Sequence, residues 1–356
     1  MYHLTYLEAA VVGLVQGVSE LFPVSSLGHN VLIPALIGGS WARDLNVAKP
    51  ESPYLAFIVG LHVATAVALI IYFWRDWLRV IRGFFSSLGH LARPPAGTSR
   101  WQFRSADERL AWMIILATIP VGIAGLAAEH LFRVIFGKPV YAAVFLAVNG
   151  LILLAGERYV RRRAARVLAA DLRGGAAGPD QAGRDIVAER ELALAGAGPV
   201  PAAGAPGGSG HQADRAQEVA EAQESDLRLS GMGYGEAVLI GSAQVLALLA
   251  GISRSGVTMV GGMLRGLSRE DAARFAFLLA TPVILAAGVL KVPDLTGPLG
   301  NGIRGQVLLG SVLSGAGAYV SVRYLVRYFQ TRTLTPFGIY CLIVGLGSII
   351  YLKLVK

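Results

Sequence analysis

The chain has 356 residues, 54% hydrophobic and only 15% charged, with a mean hydropathy of +0.55. A soluble chain of this size carries about 25% charged residues, so the composition excludes a free-standing soluble enzyme, a collagen and full-length disorder. The net charge of +9 fits basic cytoplasmic loops of a membrane protein rather than a nucleic-acid partner, and the single cysteine, Cys341, excludes an internal disulfide framework or a cysteine zinc site.

A bilayer core takes roughly 20 apolar residues per helix. Residues 4–38 are long enough but are broken midway by Pro23, Ser25, Ser26 and Gly28. They lack a basic leader and run straight into a polar motif, which reads as no cleavable signal. A segment that enters the bilayer, breaks and returns is a re-entrant helix-loop-helix, tolerated where the break lines a protein cavity; a kinked span is the alternative. The break carries Gln16, Glu20, Ser25, Ser26 and His29. Gln16 and Glu20, four apart, share a helix face. An acid at mid-membrane costs about 2.5–3.5 kcal/mol, which makes such a cluster functional by default.

A full span is expected over 54–74, with His62 inside it as either a satisfied core histidine or a neighbour of the site. An Arg-rich loop follows (Arg75 to Arg109), containing Ser86-Ser87-Leu88-Gly89-His90, a coincidental copy of Ser25 to His29. Spans follow over 110–128 and 139–156. Residues 157–231, rich in Ala, Gly and charge and nearly devoid of aromatics, read as a disordered cytoplasmic insert, with short helices near 181–195 and 212–228. This gives a first membrane half 1–156, the insert 157–231 and a second half 232–356.

The second half opens with another broken segment, 232–266, whose break reads Ala250-Gly251-Ile252-Ser253-Arg254-Ser255-Gly256. Gly251 and Gly256 permit a tight turn with exposed N–H groups. Arg254, framed by Ser253 and Ser255, is suited to clamp phosphate oxygens, and a following helix N-terminus adds anion affinity. An ion pair from Arg254 to Glu20 is compatible with this. Spans are expected over 272–290, 305–324 and 336–353; Arg274 is read as interfacial rather than lining the pocket.

Offset by 228, the two broken segments share ten identities over residues 6–38, among them Glu8 with Glu236, Gly13 with Gly241 and Gln16 with Gln244. Glu8 and Glu236 read as caps of helix starts. The positive-inside rule places the Arg-rich connections in the cytoplasm, so the repeats enter from opposite faces. The expected fold is therefore an all-α polytopic membrane protein, with about six transmembrane helices and two re-entrant helix-loop-helix segments in an inverted repeat.

Gln16 to His29 and Ala250 to Gly256 resemble the two signatures of the undecaprenyl-diphosphatase family, of the bacitracin-resistance type. Leu61 to Thr65, Gly266 to Glu270 and Phe275 to Leu279 extend the likeness. The resemblance implies a phosphatase of the bacterial inner membrane that removes the terminal phosphate of undecaprenyl diphosphate, with its site facing outward. It implies a divalent cation (Mg2+ or Ca2+), held by Glu20 and Gln16. Glu20, Ser26, His29 and Arg254 match the family's functional residues; Gln16 stands where many members have Glu, which weakens a two-carboxylate metal site. Ser25, Ser253, Ser255, Gly251 and Gly256 join Arg254 as candidate phosphate contacts. Ser26 activated by His29, with Glu20 orienting His29, is one assignment; attack by His29 itself, or by water with His29 as base, stays open. Expected partners are the polyprenyl diphosphate and membrane lipids, not nucleic acid, with a homodimer left open. A lipid-phosphate transporter or flippase is the rival reading.

Overall fold

The computed structural model describes residues 4–46, 53–92, 105–136, 138–174, 224–297 and 302–354. Every regular element among them is helical: α1 (Tyr6–Leu21), α2 (Ser26–Ile37), α3 (Gly39–Asp44), α4 (Pro53–Tyr72), α5 (Trp74–Ala92), α6 (Ala106–Phe136), α7 (Pro139–Gly174), a short helical segment at 224–230, α8 (Tyr234–Ser242), a 3-10 helix (Ala243–Leu248), α9 (Arg254–Leu264), α10 (Arg269–Thr296), α11 (Arg304–Thr331) and α12 (Thr335–Leu354). Five are long and apolar enough to cross a membrane, and α4 passes the same test only together with α5, from which it is separated by an 85° bend. All six expected spans fall on these helices.

Both broken segments are hairpins. Asn30, in the second turn of α2, donates to Gln16 Oε1 at 2.5 Å. The two residues lie about equally far from the break, so α2 folds back along α1. In the second repeat Gly261 of α9 lies against Ile240 and Ala243, which closes the same fold-back. At about 1.5 Å per residue, no arm of either hairpin reaches across a hydrocarbon core.

Each hairpin packs on a helix of the opposite half. α1 lies on α11, with Gly13 and Gly17 against the backbone of Gly310 and Ser314; α8 lies on α6, with Gly241 against Ala117. Gly13 and Gly241 are repeat mates, so the same small residue makes the same close approach twice. α4 packs on α10 and α7 on α12. The halves are thus interlocked, and the hairpin tips are brought together between them. Helix starts follow the repeat too: Glu8 caps the Thr5 amide at 2.8 Å and Glu236 the Gly233 amide at 3.2 Å, as expected.

Three expectations change. The Arg-rich connection after α4 is not simply a loop: α5 leaves α4 at 85°. Trp74, Leu78, Ile81, Phe85 and Leu88 are exposed at helical spacing, with Arg75, Arg79 and Arg82 between them, the pattern of a helix lying in the membrane interface. The boundary at 157 also comes too early, because α7 continues to Gly174; Ala and Arg are strong helix formers even without a core to bury. Of the short helices expected inside the insert, 181–195 and 212–223 lie outside the described residues, and 224–228 is helical. Finally, Arg274 is buried rather than interfacial. It pairs with Asp76 and Asp226, each at 3.0 Å, and Arg228 pairs with Asp271 at 2.9 Å. Burial pushes the Asp226 carboxyl above its ordinary range. This ionic layer ties the helical segment at 224–230 to α5 and α10.

Candidate active site

The two tips meet at their breaks. α1 ends because Pro23 lacks an amide hydrogen and is followed by Ser25 at φ 67°, an uncommon conformation for a side chain other than glycine. Ser25 Oγ accepts the Gly28 amide, capping α2, and also the Gly251 amide of the other hairpin, both at 3.2 Å. Gly251 has φ 113°, and a Cβ there would sit 2.4 Å from the Ala142 carbonyl oxygen; a Cβ on Gly28 would sit 2.9 Å from the Gly251 Cα. Glycine is required at both positions for the tips to touch. Ser253 caps α9 through the Gly256 amide at 3.2 Å, and the Ser253 and Ser255 hydroxyls reach the Phe22 carbonyl at 3.5 and 3.4 Å. Asn149 of α7 staples both breaks, donating to the Pro23 carbonyl and accepting the Ser253 amide, each at 3.0 Å.

Glu20 is the hub. Its Oε1 pairs with the Arg254 guanidinium, and its Oε2 accepts the Ser26 hydroxyl and, at 2.9 Å, the Gln16 amide. His62 Nε2 lies 3.4 Å from the same oxygen and 3.2 Å from Gln16 Nε2. α2 and α9 both begin here, with Ser26 and Arg254 as their first residues. Two helix N-termini and an arginine therefore converge beside one carboxylate, a strong anion-binding geometry.

His29 is placed differently from the expectation. Its Nδ1 faces the Ser25 carbonyl at 2.7 Å and its Nε2 the Tyr340 hydroxyl at 2.8 Å. The expected Ser26–His29 bond is not the one formed; Ser26 donates to Glu20, and Glu20 orients Ser26 rather than His29. Ser26 and His29 still share a face of α2, one turn apart. Ser25, Ser253, Ser255, Gly251 and Gly256 all lie at the tips; polar atoms of the first four join the hairpins, while the Gly256 amide is used in capping α9.

Sequence reasoning left His62 undecided and missed Asn149 and Tyr340. A histidine or asparagine inside an apolar span was the available signal for the first two, because such groups are costly in a membrane unless they serve a site. By contrast, the repeat mates of Glu20, His29 and Asn30 are Leu248, Val257 and Thr258. Chemistry is concentrated in the first hairpin, and the second contributes the cation.

The residues do not fit a protein-built cage for Mg2+ or Ca2+. Glu20 is the single carboxylate of the cluster and already carries Arg254, while Gln16 Oε1 is taken by Asn30. Among the described residues no three His, Cys, Asp or Glu groups converge, and hard cations favour several anionic oxygens.

Residues 9–177 and 212–347 match the family described as bacitracin resistance protein BacA. A protein of Mycolicibacterium paratuberculosis named undecaprenyl-diphosphatase is 55% identical over 352 residues, covering 99% of each chain. One of Frankia alni named undecaprenyl-diphosphatase 2 is 54% identical, covering 97% of each. One of Chromobacterium violaceum, also named undecaprenyl-diphosphatase 2, is 37% identical over 97% of this chain and 98% of its own. With both signatures placed at the meeting tips and the match spanning nearly the whole membrane body, the chain belongs to the bacitracin resistance protein BacA family.

Proposed function

We propose that this protein is an integral membrane phosphatase that hydrolyses undecaprenyl diphosphate to undecaprenyl phosphate and inorganic phosphate, regenerating the lipid carrier used in cell-wall synthesis. The observation that carries the reading is Glu20, held between a hydroxyl and a guanidinium at the junction of two helix N-termini. A terminal phosphoryl group entering this junction takes Arg254 from Glu20. Arg254 and the amides at the starts of α2 and α9 then neutralise the diphosphate, which is most of what phosphoryl transfer asks of a protein. Glu20, relieved of its cation, accepts the Ser26 proton. Ser26 Oγ attacks the terminal phosphorus, the bond to the bridging oxygen breaks, and undecaprenyl phosphate leaves with the proton passed from Glu20. Water then attacks the phosphorus of phosphoserine, its proton taken by His29 Nε2 on the same face of α2; the bond to Ser26 Oγ breaks, His29 returns the proton to Oγ, and inorganic phosphate leaves. A divalent cation, if the reaction uses one, would have to arrive with the substrate, since the residues here do not build a cage for it.

The inverted hairpins and the positive-inside pattern support a site open to the extracytoplasmic side of the inner membrane, with the polyprenyl tail remaining in lipid. The test is phosphate release from undecaprenyl diphosphate by the purified protein in detergent. Stoichiometric release with multiple turnovers is expected; a lipid transporter releases none, and that result overturns the reading.

A further inference from the structure

Tyr340 stands in α12, 311 residues from His29, yet its hydroxyl lies 2.8 Å from His29 Nε2. The two rings are stacked, with centroids 5.7 Å apart and planes within 9°. The Ser25 carbonyl can only accept, so His29 Nδ1 carries the proton and Nε2 presents its lone pair. That lone pair accepts from the Tyr340 phenol. While the bond stands, Nε2 can neither take a proton nor attack phosphorus.

The surroundings allow the phenol to leave without the helix moving. Around Tyr340 the backbone of α12 is fixed, with Gly338 against Gly150 and Gly345 against Ala147, both on α7. Cys341 is buried and accepts from Asn149 at 3.4 Å. Tyr340 itself is 42% exposed, whereas His29 is 7% exposed. The phenol therefore stands on the outer side of the imidazole, where an anionic head group with its tail in lipid would approach.

We propose that Tyr340 is a further catalytic residue: it caps the reactive nitrogen of His29 at rest and donates its hydrogen bond to a diphosphate oxygen once the substrate arrives. This rests on the phosphatase reading above. The exchange is one hydrogen bond for another, with no covalent change at the phenol, and it leaves Nε2 free only in the presence of an anion that can take the phenol's proton donor. The nitrogen is thereby kept from protons and other electrophiles while the site is empty.

Tyr340→Phe keeps the ring stack and removes the hydroxyl. Resting, substrate-free protein in detergent is treated with diethyl pyrocarbonate, and modification of the His29 peptide is followed by mass spectrometry. Modification is expected to be several-fold faster in Tyr340→Phe than in wild type. Phosphate release by the same variant is expected to fall about tenfold in kcat/KM, the loss of one hydrogen bond to a charged group, with the thermal midpoint unchanged. His29→Ala, lacking the modified nitrogen, sets the background. An unchanged modification rate or an unchanged kcat/KM overturns the proposal. Absence of phosphate release by wild type overturns instead the reading on which it rests, because the modification arm uses no substrate.

Discussion

Glu20→Gln separates binding from chemistry. Glu20 Oε1 holds Arg254 and Oε2 holds Ser26 and Gln16. A glutamine of the same shape can still accept from Ser26, but its amide NH2 then faces Arg254 and cannot hold it. Two opposite effects follow. Arg254 no longer has to be drawn from an ion pair before it binds phosphate, which is worth about 1.5–3 kcal/mol, the value of a charge-assisted hydrogen bond. Affinity for the diphosphate should therefore rise about 10- to 150-fold. The base for Ser26 is lost at the same time, and kcat should fall about 10²- to 10⁴-fold. Binding is measured with labelled undecaprenyl diphosphate in a Ser26→Ala background, with and without Glu20→Gln, so that neither protein turns over; kcat is measured as phosphate release by the single variant. Weaker binding, or a wild-type kcat, would refute the reasoning that Arg254 is shared between Glu20 and the substrate.

Gly251→Ala should abolish activity and lower the thermal midpoint, because it meets both a positive φ and the Ala142 carbonyl; a normal midpoint with full phosphate release would mean that the tips need not touch. Asn149→Leu removes two hydrogen bonds that join the breaks, leaving the Ser253 amide unpaired and the Pro23 carbonyl with only the weak Cys341 thiol donor at 3.8 Å. A loss of about 2–5 kcal/mol in denaturant unfolding is expected, and a change under 1 kcal/mol would contradict the staple. His62→Ala removes the imidazole beside Glu20 and Gln16 while sparing Arg254. Its kcat should drop about tenfold with KM little changed, whereas unaltered kinetics would make His62 a packing residue.

The sequence showed the hairpins because their breaks are chemically local. Pro23 stops α1, Ser25 and Ser253 cap the returning helices, and Gly251 allows the turn, all within a few residues of one another. It showed Glu20 and Arg254 because charge inside an apolar repeat is costly and therefore conspicuous, whether it serves a site or an interhelical ion pair. It did not show which hydroxyl, imidazole and carboxylate pair, since that depends on how the tips dock. His62, Asn149 and Tyr340 come from three separate helices, and nothing local says which face of each turns toward the breaks. α5 was hidden for a different reason: its arginines fit a cytoplasmic loop as well as an interfacial helix, and only the 85° turn after Tyr72 separates the two.

Ser26 is the group that receives the phosphoryl in the proposed reaction. Wild-type protein mixed with undecaprenyl diphosphate labelled in its terminal phosphate should be quenched within milliseconds, one half in acid and one half in alkali, and digested for mass spectrometry. Label that survives acid on the Ser26 peptide, and is absent from Ser26→Ala, is the predicted result. Label found only after alkaline quench on His29, or phosphate released with no labelled enzyme at any time, would contradict it.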